Sequence, residues 1–382
     1  MRASRRILIV ATSGGGGDLQ PLLALAAGLS KAGHQVAAFG DASVRATMTS
    51  LGVETIISDP ALDLARQYAI VAEQTKDLPP DRQAERMRER LVGWSEQLAV
   101  AIEDAVGSKH PDLLMTSLFG SGAVRLAAKR HDLPWVAVNS TFYVGPDPPR
   151  PPELDFGVRV PLFRDFFAPN VNAATLVLHG SDAEFDFGFS GLPAHHRYVG
   201  PLFWDPATAL PAYLDAPGDP WVLVTLSSHA QDDLPIARAS LSGLQQLPVR
   251  VLLTIGEHLE QDLEPVPSNA YLERYAPHGP VLQRSVLMIS HAGHGSVMRA
   301  LWHGVPMLLI PWGRDQAGVA VRAEQLGVAV VVQRQQLTTE NVAASARRVL
   351  GNSSMADRAR AVSQRLRAYD PVATACALVA SV

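Results

Sequence analysis

Two short stretches concentrate side chains able to do chemistry: His-Ala-Gly-His-Gly-Ser at 291–296 and Ile-Pro-Trp-Gly-Arg-Asp-Gln at 310–316. The first has the make-up of an anion site. Gly293 and Gly295 let the backbone turn tightly, Ser296 stands where a helix N-cap is expected, and His291 adds a ring beside the turn. A glycine loop that opens a helix offers backbone N–H groups and the positive end of the helix dipole, which suit a phosphate or diphosphate. The second stretch ends in Asp315 and Gln316, a pair able to grip several hydroxyls, as a sugar requires. A diphosphate site beside a hydroxyl clamp implies a nucleotide-sugar. Plainer readings stand next to these. His291 can be a hydrogen-bonded core histidine, His294 can be helix-start packing, and Asp315 can cap the helix that begins near Ala317, although capping explains Gln316 poorly.

The elements that must position these residues follow from the hydrophobic pattern. Val286–Ile289 is an apolar run of strand length, Val297–Trp302 reads as a helix stopped by Gly304 and Pro306, and Met307–Ile310 is the next strand. The chain opens in the same way. Strand Ile7–Ala11 leads into the glycine loop Ser13–Gly17, then Asp18, a helix over 22–29 ended by Gly33, and strand Gln35–Phe39, a βαβ unit. That loop is a poor dinucleotide fingerprint, since Leu19 occupies the third glycine position, and no P-loop pattern is present. Residues 81–106 place Met87, Leu91, Trp94, Leu98 and Ile102 at helical spacing. Asp112–Thr116 and Trp135–Val138 bracket a further helix at 120–130, and Ala174–Leu178 and Tyr198–Gly200 return to strand character. Residues 143–170, rich in proline and phenylalanine, read as a long functional loop or an irregular lid.

The proline-rich stretch Asp205–Pro220 reads as a linker, after which Trp221–Leu226, Val249–Thr254 and Val328–Val332 are strands. The expected class is α/β, with two parallel sheets each covered by helices. Expected boundaries are an N-terminal domain at 1–206, a linker at 207–219, a C-terminal domain at 220–365 and a closing segment at 366–382.

Composition limits the alternatives. The chain has 382 residues, 47% of them hydrophobic, enough for two cores. A formal charge of −4 gives no general argument for nucleic acid or an anionic membrane, and the mixed charges of 82–90 read as a solvated helix face. The lone Cys376 excludes an intrachain disulfide and suits a reducing compartment; with no signal peptide in the pattern, a cytoplasmic location is expected. No apolar run approaches the roughly 20 residues that span a bilayer.

The segment HAGHGSVMRALWHGVPMLLIPWGRDQAGVAVRAEQLGVA resembles the donor-site signature of the family 1 glycosyltransferases, above all the bacterial branch acting on natural products such as polyketides, glycopeptides and macrolides. The opening RILIVATSGGGGDLQPLLALAAGLSKAGHQVAAFG resembles the N-terminal strand-loop-helix-strand of that family, and WVLVTLSS resembles the start of its C-terminal domain. The resemblance implies the GT-B arrangement: two Rossmann-type domains facing each other across a cleft, the first binding acceptor, the second binding donor, and a final helix returning to the first. It implies inverting transfer of a sugar from UDP- or dTDP-sugar to a small, aromatic or polyketide-type acceptor. It also implies that His291, Gly293, Gly295 and Ser296 meet the donor phosphates and that Asp315 and Gln316 hold the sugar.

Further site residues are expected on both halves. Ser227 and Ser228 follow the first strand of the second half, where ligands of such sheets bind. Tyr275 falls near the place where plant relatives stack a tryptophan on the base, or is a surface tyrosine. Phe119, Phe142 and Tyr143, with Phe163, Phe166 and Phe167, either line an acceptor pocket or belong to the core. His229 has no assigned role. The family places a general-base histidine where this chain has Asp18, and a partner aspartate near Ser117. Asp18 is therefore read as base or acceptor-orienting group, against the plainer reading of a helix cap. No metal motif or cofactor is expected beyond the nucleotide-sugar co-substrate. Rival functions are C-glycosylation of a phenolic ring carbon, nucleotide-sugar epimerisation on the same fold, and a non-catalytic homologue acting as a partner. Oligomeric state stays open, a homodimer included.

Overall fold

A computed structural model describes residues 4–12, 17–143, 162–186, 191–206, 209–228, 231–256 and 258–382. Of the features read from sequence, Ser13–Gly16 of the first glycine loop, residues 144–161 of the proline-rich stretch, residues 207–208 of the linker, and His229 lie outside the described residues. Contacts divide the chain into two compact units, one of residues 1–204 with 369–382, the other of residues 205–368.

In the first unit, β1 (Arg6–Ala11), β2 (Gln35–Gly40), β3 (Glu54–Ile57), β4 (Leu113–Ser117), β5 (Trp135–Asn139), β6 (Leu176–His179) and β7 (His196–Tyr198) form one sheet in the order β3-β2-β1-β4-β5-β6-β7. Every pairing is parallel. The strands are apolar on both faces, and alternate residues feed opposite cores. Leu8, Val10, Leu114 and Ala137 pack with Leu91, Trp94, Leu98 and Ile102 of the long helix Pro80–Lys109. Ile7, Ile9, Met115 and Val138 pack on the other side with Leu22 and Leu25 of helix Leu19–Lys31. That helix also meets helix Pro371–Val379 closely. A Cβ on Gly28 would lie 2.6 Å from Val372 Cγ1 and 2.8 Å from Cys376 Sγ, so only glycine fits there.

In the second unit, β8 (Trp221–Thr225), β9 (Arg250–Thr254), β10 (Ala270–Glu273), β11 (Ser285–Ser290), β12 (Met307–Leu309) and β13 (Ala329–Val331) form a sheet in the order β10-β9-β8-β11-β12-β13, again all parallel. Val222, Val224, Leu253, Ile289 and Leu308 share a core with helices Leu234–Leu244 and Thr339–Leu350. Residues 212–215, inside the expected linker, form a short 3₁₀ turn: Tyr213 stacks on Tyr271 and Leu214 O accepts from Trp221 Nε1.

Each sheet reverses its strand order once, between β1 and β4 in the first and between β8 and β11 in the second. In open α/β sheets, ligands bind outside the carboxyl ends of the strands at such a reversal.

Candidate functional site

The sequence reading of the 291–296 loop needs one correction. The helix begins earlier than its apolar pattern, running His294–His303 with Gly293 as N-cap, so Ser296 is its third residue rather than the cap. Gly293, extended at φ −60 and ψ 135, can hold the cap position without a side chain. The first i→i−4 bond is Val297 N–H to Gly293 O, so the amides of Gly295 and Ser296 precede the intrahelical ladder. A Cβ on Gly295 would meet nothing within 4 Å, which leaves that face open to a bound group. A Cβ on Gly293 would fall 2.5 Å from His291 Nε2; glycine there lets the imidazole fold back beneath the loop.

His291 directly follows β11, beside the end of β8, and is 6% exposed. Its Nδ1 has no hydrogen-bond partner among the described residues, so the plain reading of a satisfied core histidine fails on that nitrogen. Burial lowers its pKa from 6.5 to about 4; the Asp233 and Asp315 carboxylates and the Thr225 backbone pull it up, and Arg314 pushes it down. A ring lowered to about 4 is neutral at pH 7 and can offer a neighbouring group an N–H donor but no positive charge.

The strand ends around His291 are tied together. Asp233, buried, accepts from Ser227 N at 2.8 Å and Gln231 Nε2 at 3.2 Å, with His258 Nε2 at 3.8 Å from its other oxygen. Gln316 Oε1 accepts from Trp312 N and Gly313 N, at 2.8 and 2.9 Å, and its Nε2 donates to Gln231 Oε1 at 3.0 Å. Gln316 therefore closes its own turn and links it to the loop after β8, a use that helix capping does not anticipate. Asp315 holds the N-cap position of helix Gln316–Gln325, yet its side chain makes no capping bond. Ala292 and Arg314, one in each loop, are left-handed at φ 65 and 59. Such non-glycine backbone costs on the order of 1–3 kcal/mol and gathers at functional sites. His278, whose Nε2 lies 3.2 Å from Thr254 Oγ1 at the end of β9, is lowered to about 3 by burial, then by Arg299 and His291.

The remaining expected donor residues are more peripheral. Ser228 is exposed. Tyr275 lies beyond β10 and is 57% exposed; burial of its hydroxyl end and the Asp205 carboxylate raise the phenol pKa, against Arg299.

In the first unit, Asp18 is 6% exposed and occupies the N-cap position of helix Leu19–Lys31, but its side chain makes no capping bond. Its Oδ1 accepts instead from the Ser140 hydroxyl. Ser117, the residue near the expected partner position, is 1% exposed, and its hydroxyl has no hydrogen-bond partner among the described residues. The contact to Asp18 thus comes from the end of β5, not from β4. Of the expected acceptor aromatics, Phe142 and Tyr143 are fully buried, the first stacked on Phe185 and the second between His179 and His196. Both belong to the core. Phe119 is half-buried, edge-on to Tyr68 and Phe167.

Sequence reasoning missed Gln231, Asp233, His278, Arg314 and Ser140. Asp233 carried a signal as the residue before Leu234-Pro235 at a helix start; the others acquire meaning only through their neighbours in space. Among the described residues no group of three His, Cys, Asp or Glu is arranged to hold a metal ion, and no helix is long and apolar enough to cross a membrane.

Residues 238–378 match the Erythromycin biosynthesis protein CIII-like, C-terminal domain family. A relative from Mycobacterium tuberculosis (strain ATCC 25177 / H37Ra), a PGL/p-HBAD biosynthesis glycosyltransferase, is 32% identical over 176 residues, 45% of this chain and 40% of its own length. The chain thus spans less than half the length of that relative. Among solved structures, the calicheamicin glycosyltransferase CalG4 superposes with a TM-score of 0.76 at 21% identity, covering 99% of this chain and 98% of its own. The glycosyltransferase VinC in complex with dTDP gives 0.72 at 18% identity, covering 98% of each chain. At such identities the likeness speaks for the fold. The chain has the GT-B fold, and its residues 238–378 are similar to the Erythromycin biosynthesis protein CIII-like C-terminal domain.

Proposed function

We propose that this protein is a glycosyltransferase that moves a sugar, with inversion, from a UDP- or dTDP-sugar to a small aromatic or polyketide-type acceptor. One observation carries the reading: His291, the start of helix His294–His303 and the Asp315–Gln316 turn converge at the strand-order reversal of the second sheet. The likeness to CalG4 and to VinC bound to dTDP supports it.

The donor diphosphate lies against the amides of Gly295 and Ser296 and the His291 ring, with the sugar hydroxyls toward Asp315. The acceptor oxygen forms a bond to the anomeric carbon from the opposite face. The bond from that carbon to the phosphate oxygen breaks, and its electron pair leaves with the nucleoside diphosphate. The acceptor proton passes to Asp18. Negative charge grows on the leaving group beside the helix N-terminus, where oriented dipoles stabilise it without reorganising. An acceptor hydroxyl becomes more acidic as its oxygen bonds to carbon, so a carboxylate suffices as a late base. A single buried thiol, Cys376, suits work in a reducing compartment such as the cytoplasm.

The test is incubation with UDP- and dTDP-sugars, with and without a panel of phenolic and polyketide acceptors, followed by mass spectrometry and anomeric NMR. An acceptor heavier by one sugar, with inverted configuration, is the expected product. Epimerised donor without acceptor, or a product with retained configuration, overturns the reading.

A further inference from the structure

We propose that Ser140 is the positioning residue for Asp18, taking the place that a carboxylate beside a histidine base would fill; this rests on the proposed function and deepens it. The geometry is local to the first unit. Asp18 stands at a helix N-cap without using its side chain as a cap, whereas Asp41 and Asp370 at the same position of other helices accept from Ser43 N and Ala373 N. Its Oδ1 is turned instead toward β5, where the Ser140 hydroxyl donates to it.

Ser140 is firmly mounted. Asn139, the last residue of β5, is fully buried, and its Nδ2 donates to Phe142 O at 2.9 Å and Thr141 O at 3.2 Å, closing the turn that carries Ser140. The same amide lies 3.1 Å from His179 Nδ1, and His179 Nε2 lies 3.0 Å from His196 Nδ1, which braces the turn from below. The Ser117 hydroxyl has no hydrogen-bond partner among the described residues.

A base that must accept a proton late in the reaction needs a fixed direction more than a high affinity for the proton. The Ser140 hydroxyl on Oδ1 helps to hold the carboxylate in one orientation. A neutral donor is the matching choice for a carboxylate base. A second carboxylate at this distance would repel it, whereas next to a histidine it would orient the ring.

A double-mutant cycle with Ser140→Ala, Asp18→Asn and the pair tests this. Ser140→Ala is expected to lower kcat roughly tenfold or more while donor KM stays unchanged. Ser140→Thr, which keeps the hydroxyl, restores most of the rate. In the Asp18→Asn background, Ser140→Ala costs nothing further, because it acts only through Asp18. Additive losses, or a threonine variant as slow as the alanine variant, overturn the proposal. A second readout needs no turnover: the Asp18 carboxyl carbon resonance, assigned by its loss in Asp18→Asn, shifts in Ser140→Ala and returns in Ser140→Thr. Should wild-type protein transfer no sugar, the function has been misread, and this resonance still decides the Asp18–Ser140 contact. A resonance indifferent to Ser140→Ala overturns it.

Discussion

At the carboxyl ends of β8 and β11 the polar groups are knitted to one another; at the ends of β1 and β4 the Asp18 carboxylate accepts from the hydroxyl of Ser140, just past β5. Both places lie at the reversal of the same strand order. In the second unit, Gln316 links to Gln231, Gln231 to Asp233, and Asp233 to the Ser227 amide, with His291 in their field. In the first unit, Asp18 leans on Ser140, while Thr12 and Ser117 carry buried hydroxyls with no partner among the described residues. The contrast suits a division of labour. A donor with many charges and hydroxyls needs a preorganised set of dipoles, whereas an acceptor of variable shape needs one oriented base. A GT-B protein can vary the second without disturbing the first.

The largest effect expected from breaking the contrast is at Asp18. Asp18→Asn keeps the size of the side chain and removes its charge. The rate should fall about 10²–10⁴-fold with melting temperature nearly unchanged. Since Asp18 makes no capping bond, a stability loss with unaltered rate would mean that its role is structural after all. Next comes His291→Ala. In the proposed reaction its ring faces charge that grows in the transition state, so kcat should fall roughly 10²–10³-fold, by more than donor KM rises. Wild-type donor kinetics in this variant would remove the donor from the end of β11.

Acid tests the buried histidines of both units. His179, His196 and His291 are held by burial at about 3, 4 and 4, below their ordinary 6.5. A native pKa below the unfolded value means that the unfolded chain binds the proton more tightly. Stability is then complete above about pH 6.5 and declines as pH falls toward 4. In the second unit His278 and His303 are lowered by burial as well, to about 3 and about 4, so hydrogen exchange at pH 5 should show both sheets opening more readily than at pH 7. Denaturant midpoints that stay level from pH 7 to 4.5 would contradict the assignment.

A milder effect is expected at Asp315, whose replacement by alanine should relax the choice between sugar epimers roughly tenfold. Competition between epimeric donors measures it, and unchanged selectivity would separate Asp315 from the sugar. The smallest expected effect is none at all. In the proposed reaction the helix N-terminus at 293–296 and His291 take the part that a divalent ion plays elsewhere, so turnover should survive EDTA. Loss in chelator, restored by magnesium or manganese, would show that these dipoles are not enough.

Much of the fold was readable along the chain. The apolar runs at 7–11, 113–115, 221–224 and 286–289 are what strands buried on both faces must look like, and glycine or proline punctuates the helices between them. The layout around 291–316 was readable too, because its parts are consecutive: His291, two glycines, a helix start, then Asp315 and Gln316 one strand later. Helix starts were less legible. Gly293 is the cap and Ser296 is not, since capping propensity yields where the backbone must also clear the His291 ring.

What only the tertiary structure decided is pairing at long range. Ser140 and Asp18 are 122 positions apart and Gln231 and Gln316 are 85 apart, and none of the four residue types announces its partner. Burial likewise came only with the fold: Phe142 and Tyr143, for which the sequence left pocket or core open, are packed against aromatic side chains. Periodicity and turn chemistry act within a few residues and are therefore written along the chain. Hydrogen-bond satisfaction and burial depend on which strand ends the sheet order makes neighbours, and that order exists only once the chain has folded.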